Sequence, residues 1–527
     1  MGYAVSPKVF WLHLFLKKGG KSSLYLHNIE CISLFTIFEV MIDIKVRIHD
    51  RFSIEFKVGF VVRRKLKEND FAINTWIFVP NSIDINPMTY TKQQFYRDVK
   101  SNVRLITPKF LLREIVSGNA IPLTNLEKAM TAMANEPTRT NVQEYEYQIK
   151  MFSAIVKSSQ RDEITHIVNN AHSSDLDYLV RSYVENVGNI AARYRELRRI
   201  INVPTVTQDI MNYYVFGDEF LSNIVEQNTY RLVEGLEVTR GNVNPELTVL
   251  LKDLIRNENL YKRGMGYLAV EHDNPKNNRD LVFRHGILKK YVESDLFLVS
   301  RKKKDGIIVE QFLYSIAAGI AMVFATAIAF WGQKKYGAVT TPLFFALVIS
   351  YMLKDRIKDV MRYYFAHSLG HKYFDNKTKI GIKDAEIGWI KEAVDFVTDD
   401  KTPKEVMDIR SRSPLLEAEN RTMDEKILLY RKLVRIDREE MDANSEYSIS
   451  GINDIMRLHF TRFIQKTDNP EVPLHMLNDD GSVAVINSEK AYYINIVLQM
   501  QFEGQTEYKR YRVIFNRLGI TGIEEMK

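Results

Sequence analysis

Apolar and polar residues alternate with a period that changes several times along the chain, and each change marks a boundary between elements. Ile42, Ile44, Val46 and Ile48 alternate with Asp43, Lys45, Arg47 and His49. After Asp50-Arg51, the residues Phe52, Ile54, Phe56, Val58 and Phe60 repeat the pattern. A period of two puts these apolar side chains on one face, which predicts an amphipathic β-hairpin with its other face solvated. Phe71 to Val79 predicts a third strand, closed by Pro80 and the polar run NSIDINP, so residues 41–82 read as a small antiparallel region.

From Thr91 to about Ser300 the period lengthens to steps of three and four. Asn141 and Glu144 have capping-box-like spacing ahead of a stripe of Val142, Tyr145, Ile149, Phe152 and Ile155. Ser174 is expected to cap a helix whose apolar positions are Leu176, Leu179, Tyr183, Val187, Ile190, Tyr194, Leu197 and Ile201, ending before Pro204. Further helices are expected over Gln208 to Leu236, after the Asn244-Pro245 cap, and over Asn278 to Val299. Packed antiparallel, these stripes make residues 91–300 a helical bundle.

Two apolar runs follow. Phe312 to Trp331 has about 20 residues without an ionised side chain, enough helix to cross a hydrocarbon core of about 30 Å. A link, GQKKYGAVTTP, leads to Leu343–Leu353, which needs residues back to Tyr336 to reach spanning length. Residues 307–354 are therefore expected to form a two-span transmembrane hairpin, continued by a juxtamembrane helix over 355–371. The dull alternative is a helical hairpin buried in a large soluble core.

Residues 372–527 read as a mixed α/β region. Lys426 to Ile436 predicts a strand and Ser450 to Gln465 a helix. Ile494, Ile496, Leu498, Met500 and Phe502 alternate toward a turn at Glu503-Gly504-Gln505, and Tyr511, Val513 and Phe515 continue on a partner strand. The opening and closing strands each need one face covered, so they are expected to share a sheet or to pack as two. The fold class is thus an α+β membrane protein: N-terminal β-hairpin or small sheet, helical bundle, two-helix transmembrane hairpin, mixed C-terminal domain.

Composition sharpens this. Hydrophobic residues are 45% and charged residues 26% of the 527, which is ordinary for globular protein. The net charge of +7 would suit nucleic acid or an anionic membrane. Much of the excess flanks the hairpin, and no zinc-finger spacing or RNP-like aromatic motif is present, so lipid headgroups are the expected partner rather than nucleic acid. The single cysteine, Cys31, permits no intrachain disulfide and fits a reducing compartment. The first forty residues carry the apolar runs VFWLHLFL and LYLHNIECISLFTIFEV, broken by Lys17, Lys18, Asn28 and Glu30. Lys8 ahead of a short apolar run suits a signal peptide, but the run is at the short end for one and lacks a convincing small-residue cleavage site, and clean alternation begins at Met41. The expectation is a native start at Met41, with residues 1–40 a spurious or disordered extension.

Positive charge sets orientation. Arg301, Lys302, Lys303 and Lys304 precede the first run; Lys354, Arg356, Lys358 and Arg362 follow the second; the link holds only Lys334 and Lys335. Both termini are therefore expected to be cytoplasmic, at the inner or plasma membrane in a bacterium. Ala317, Ala321, Ala325 and Ala329 recur every four residues and form a ridge suited to close helix packing. The ridge is expected to meet the second run; the sharper alternative is a contact between two copies. Neither run carries a carboxylate, an amine, an imidazole or a guanidinium, which argues for an anchor over a pump.

Candidate chemistry is sparse. His367, His371 and Asp375 in FAHSLGHKYFD would share a helix face and offer two imidazoles and a carboxylate to a metal. Interfacial histidines near a helix C-terminus explain them without one. GGKS at Gly19–Ser22 resembles the end of a phosphate loop, but position 15 is Phe15 where the motif needs glycine. Gly264-Met265-Gly266 follows a helical pattern rather than a strand, and Glu271-His272-Asp273 reads as a loop. No Gly-x-Ser-x-Gly elbow occurs, and no cofactor is assigned. The basic flanks, 301–304 and 354–362, suit anionic lipid. The function expected is a membrane-anchored, cytoplasm-facing interaction, scaffold or sensory protein, with a protein partner or a second copy as its further contact. Its competitors are a membrane-tethered enzyme and, last, an oligomeric pore-forming effector.

Overall fold

The computed structural model describes residues 41–526 apart from position 64 and residues 118–120, 242–243, 338–339, 371–373 and 412–424. Two antiparallel sheets carry the fold. The smaller has the order β1-β2-β9-β4, built from β1 (Ile42–Asp50), β2 (Ser53–Val61), β4 (Val99–Leu105) and β9 (Gly451–His459). The larger has the order β14-β13-β12-β3-β8-β7-β6-β5. Its strands are β3 (Glu68–Val79), β5 (Val299–Lys304), β6 (Asn376–Ile382), β7 (Ala385–Val397), β8 (Lys426–Asp437), β12 (Tyr492–Phe502), β13 (Gln505–Asn516) and β14 (Gly519–Met526). A separate ribbon pairs β10 (Glu471–Leu477) with β11 (Val483–Glu489).

The expected hairpin of β1 and β2 forms in the register that sets Ile42 opposite Phe60 and Ile44 opposite Val58, but its outer face is solvated only along β1: Ser53 and Glu55 of β2 are buried. Opening and closing strands do both of the things expected of them. β2 pairs with β9, and β3 lies between β8 and β12, so the chain's two ends share both sheets. The inner faces then pack together: Phe60 of one sheet meets Phe71 of the other at 5.2 Å, and Phe460 meets Phe515 at 5.8 Å. Backbone bonds join the sheets at both edges, from Leu298 N to Val103 O at 3.0 Å and from Ile520 N to Arg51 O at 2.8 Å.

Between β4 and β5 the chain leaves the sheets and builds the helical region. Ahead of it, α1 (Lys92–Asp98) is closed by a capping box between Thr91 and Gln94. The region itself contains α2 (Leu112–Val116), α3 (Ile121–Asn135), α4 (Arg139–Asn169), α5 (Leu176–Glu196), α6 (Gln208–Arg240), α7 (Pro245–Met265) and α8 (Pro275–Glu293). α4 and α6 run through its centre, where the rings of Phe152, Tyr194 and Tyr214 stack at 5.8 and 5.0 Å. Those rings are almost wholly buried, worth up to about 3 kcal/mol each by area. Between β5 and β6 the chain leaves again as a helical hairpin, α9 (Ile307–Tyr336) and α10 (Thr341–Gly370). The architecture is mixed α+β: an N-terminal sheet, a helical middle and C-terminal strands.

Several expectations are corrected in detail. Ser450–Gln465 is not a helix but β9 followed by a single helical turn, Thr461–Ile464. Its alternation is masked because Asp454 points inward and Ile455 outward, the reverse of what polarity suggests. Gly451 starts β9 at φ 150, with Phe60 O only 1.9 Å from where a Cβ would sit, so the pairing of β9 with β2 requires glycine there. The expected helix of 278–299 begins at Pro275, capped by Asn274, and stops at Glu293. The basic run Arg301–Lys304, read as a flank of the first apolar run, lies in an edge strand. Thr138, not Asn141, caps α4, and α5 starts after Asp175 rather than on Ser174. The Asn244-Pro245 start is found as expected, with the Asn244 side chain accepting from Glu246 N at 3.1 Å. Residues 1–40, with Cys31 and GGKS, lie outside the described residues.

The hairpin departs most. One helix among the described residues, over Val309–Tyr336, is long and apolar enough to cross a membrane. α10 is not a second one: it begins at Thr341, so residues 336–340 add nothing to its apolar length. From Thr341 to Leu353 it rises only about 20 Å before reaching Lys354, short of a hydrocarbon core.

Candidate functional site at the base of the hairpin

Antiparallel packing of α9 on α10 has a readable register. Ser350 Oγ donates to Ala325 O at 3.3 Å, Leu343 lies beside Gly332, and the Arg362 guanidinium covers the Tyr314 ring at 5.4 Å. Ala317 and Ala321 are buried against α10, and Ala325 and Ala329 are half-buried on the same ridge. The small side chains allow the two backbones to approach, and Ser350 finds a carbonyl there instead of remaining unpaired. The remainder of the hairpin is bare apolar surface: Phe312, Val323, Phe330, Phe344 and Met352 are each more than half exposed. At its tip Lys335 lies over the rings of Trp331 and Tyr336, at 4.9 and 5.5 Å. By this register Lys354 is level with Ala321, so Lys354, Arg356, Lys358 and Arg362 flank the first half of α9 rather than following a finished span.

At its base the hairpin is held by paired charges. Asp305 pairs with Lys391 at 3.0 Å and Lys304 with Glu310 at 2.8 Å. On the return strand side Asp375 accepts from Lys92 Nζ at 2.9 Å, Tyr96 OH at 3.0 Å and Val394 N at 2.9 Å. Of the three residues suggested for a metal, then, Asp375 is engaged by α1 and β7. His371 lies outside the described residues, as does the side chain of His367. Among the described residues no group of three or more His, Cys, Asp and Glu could hold a metal ion.

Deeper in, strand alternation turns a second set of charges toward the space between the sheets. Lys302 on β5 reaches Glu392 on β7 at 3.1 Å, and Tyr430 OH donates to the same carboxylate at 2.6 Å. Lys432 on β8 bonds Asp454 on β9 and lies 3.5 Å from Glu392; Ser101 on β4 donates to Asp454 at 2.5 Å. Burial alone would lower the Lys432 ammonium, but Asp454 and Glu392 more than offset that and hold it above the ordinary lysine range. Burial would likewise raise Glu392; Lys432, Lys302 and Tyr430 leave it below the ordinary glutamate range. A lysine locked in its charged form is a strut between sheets, not a nucleophile.

The outer face of the same strands is different. Cross-strand register lines up Lys303, Lys377 and Lys391 in one row and Arg301, Lys379, Trp389 and Arg435 in the next. Lys377, Lys391 and Arg435 each approach the Trp389 ring, at 5.2, 5.4 and 5.3 Å. This basic face with an aromatic at its centre begins where the hairpin leaves the sheet. Of the boundary cations, Lys302 and Lys304 are thus spent on internal pairs, while Arg301 and Lys303 face outward.

A third network lies in the helical region. Arg195 reaches Glu258 at 2.8 Å and Asp218 at 3.4 Å and stacks 3.5 Å over the Tyr261 ring. Tyr261 and Tyr267 both donate to Asp218, at 2.7 and 2.9 Å, while Arg284 holds Glu219 at 2.6 Å and Lys262 holds Glu226. Three cations thus hold four carboxylates, Arg195 serving two of them, and the arrangement fixes how α5, α7 and α8 sit on α6. Sequence periodicity gives no sign of it, because buried charges look like solvated ones in a stripe.

No protein-family model, curated protein or solved structure matches this chain.

Proposed function

We propose that this protein is held at a membrane by the α9–α10 hairpin and presents its sheets and helical region to the cytoplasm as an interaction, scaffold or sensory module. The observation that carries the reading is the bare apolar surface: only 11% of the most apolar stretch of α9 is buried, whereas a core helix of a soluble protein is mostly covered. The basic Trp389 face beside the hairpin base supports the cytoplasmic side, where anionic headgroups attract lysine and arginine and aromatic rings settle at the interface. Trp331, Tyr336 and Lys335 at the tip have the composition of a second interface. Between the tip and Lys354 the belt apolar on both helices is about 20 Å, which membranes meet by local thinning and by snorkelling of Lys354, Arg356 and Lys358.

Extraction tests the reading. Membranes from cells making the full chain are washed with alkaline carbonate and centrifuged at high speed. The protein is expected in the pellet and released by detergent; recovery in the supernatant as a monodisperse species would overturn the proposal.

A further inference from the structure

The ribbon of β10 and β11 pairs with neither of the two sheets; β10 is exposed throughout and β11 nearly so. Strand alternation puts Val472, Leu474, Met476, Ala484 and Ile486 on one face of the ribbon, where Ser488 is the single polar residue. Val472, Leu474, Met476 and Ile486 are each between 41% and 53% exposed. A two-stranded ribbon with its apolar side chains in water is marginally stable at best, and further strands are what make such a sheet hold.

Hydrogen-bond phase decides which edge can take them. Asn478 N donates to Ser482 O at 2.9 Å at the tip, and Lys490 N to Pro470 O at 2.7 Å at the base. Even-numbered residues therefore face each other in hydrogen-bonded pairs, and odd-numbered ones turn their backbone N–H and C=O groups outward. On β10 the outward row includes Pro473, which has no N–H, so that edge is interrupted. On β11 the row is Val483, Val485, Asn487 and Glu489, each with its N–H, and none bonded to backbone outside the ribbon among the described residues. No lysine, proline or bulge guards this edge, whereas Arg301–Lys304 guard the edge strand β5.

We infer that β11 pairs with β11 of a second copy of the chain, antiparallel, with Ile486 on the two-fold axis. This register sets Val483 opposite Glu489 and Val485 opposite Asn487 as hydrogen-bonded pairs. It sets Ala484 opposite Ser488 and brings the two Ile486 side chains together in the closer, non-hydrogen-bonded pairing at the axis. One step further along, Ser482 comes opposite Lys490. Ser482 holds the Asp480 carboxylate through its N at 2.8 Å and its Oγ at 2.6 Å, so the acidic tip of each copy reaches the lysine at the other's base. Lys490 already pairs with exposed Asp468 at 2.5 Å, and its three donors leave room for a second carboxylate. No like charges lie opposite each other in this register. The same acidic tip, Asp479-Asp480, disfavours an anionic membrane surface as the occupant.

The pairing does not depend on how the hairpin meets a membrane. Its test is sedimentation of the full chain in detergent over a range of micromolar concentrations, alongside Val485→Pro. Proline there removes one outward N–H and, like Pro473, none of the bonds between β10 and β11. The parent is expected to sediment as a reversible dimer. Val485→Pro should dissociate at a concentration at least about tenfold higher, since each dimer loses two hydrogen bonds. A second variant covers the case in which the proline one does not fold. Ile486→Cys in a Cys31→Ser background places two thiols at the axis, with Cα atoms about 4.5 Å apart and within disulfide reach. Mild oxidation should link two copies there, and should not link Val472→Cys, which lies on the outer strand of the same face. A parent that is monomeric throughout, a Val485→Pro dimer as tight as the parent's, or no linkage at Ile486→Cys would each overturn the pairing. So would ribbon variants that change binding to phosphatidylserine vesicles and leave the state of association unchanged.

Discussion

The strut between the sheets offers the sharpest stability prediction. Lys432 is buried, and the group it bonds, Asp454, has only Ser101 besides among the described residues. Replacing Lys432 with methionine keeps the stem's volume but leaves the Asp454 carboxylate buried without a counter-charge. Removing one partner of a buried pair costs about 3–5 kcal/mol, a large share of the roughly 5–15 kcal/mol that holds a domain together. Glu392 is less affected, since Lys302 and Tyr430 remain on it. The double variant Lys432→Met/Asp454→Met removes both charges and should recover most of the loss, because an apolar pair in that place strands nothing. Arg435→Met, which breaks an exposed pair with Asp70, should cost no more than about 1 kcal/mol. Urea unfolding of the full chain in detergent, followed by tryptophan fluorescence, reads all four proteins. If Lys432→Met lies within about 1 kcal/mol of the parent, or the double variant is worse than the single, the strut does not bear on stability and the reasoning is wrong.

Three further outcomes are expected. Glu392 and Glu293 both sit below the ordinary glutamate range, so the stability they contribute is present above about pH 4.3 and is lost as pH falls through their folded values. Glu392→Gln should flatten the acid limb of a melting profile between pH 7 and 3, and an unchanged limb would count against the assignment. Ala321→Leu forces three extra carbons into the contact between α9 and α10 and should destabilise it by about 1–3 kcal/mol; protease digestion in micelles should then cut the hairpin sooner, whereas exposed Met322→Leu should not change it. Because the apolar belt is short, the full chain should reconstitute more completely into thin bilayers of 14-carbon lipids than into thick ones of 22 carbons. Equal recovery would mean that the belt does not set the depth.

The strands and helices that bury one clean face were legible from the sequence. β1, β2, β12 and β13 show their period because each inward position is apolar, and α5 shows its stripe for the same reason. What the pattern hid follows from inward charge. Asp454 turned β9 into an apparent helix, and the basic run before α9 gave no sign of a strand because lysine favours neither period. The hairpin's apolar character could be read directly; the length of its second arm could not, since Tyr336 ends α9 and α10 begins only at Thr341. The electrostatic setting of Lys57 did not emerge from the sequence either. Its neighbours come from β1, β4, α4 and α8, separated by up to about two hundred and thirty residues and brought together only by the sheet register and the packing of the helical region.

Lys57 and Lys432 place the same side chain in opposite electrostatic settings, and the same substitution should therefore change stability with opposite sign. Lys57 is held from its ordinary value down to about 8, a difference of at most about 3 kcal/mol, which solvent on its open side screens to about 1–2 kcal/mol. A folded-state value below the unfolded one means that the charged form is disfavoured on folding. The penalty is complete below about pH 8, shrinks as the ammonium loses its proton, and is gone above about 10.5. In phosphate-free buffer at pH 7, Lys57→Met should therefore be more stable than the parent, and the two should converge as pH rises toward 10.5. Lys45, Arg104 and Arg161 oppose the charge and Asp43 favours it, so Asp43→Asn should widen the difference. A Lys57→Met protein that is less stable than the parent at pH 7, with the deficit unchanged at pH 10, would mean that the stem's packing outweighs its unpaired charge.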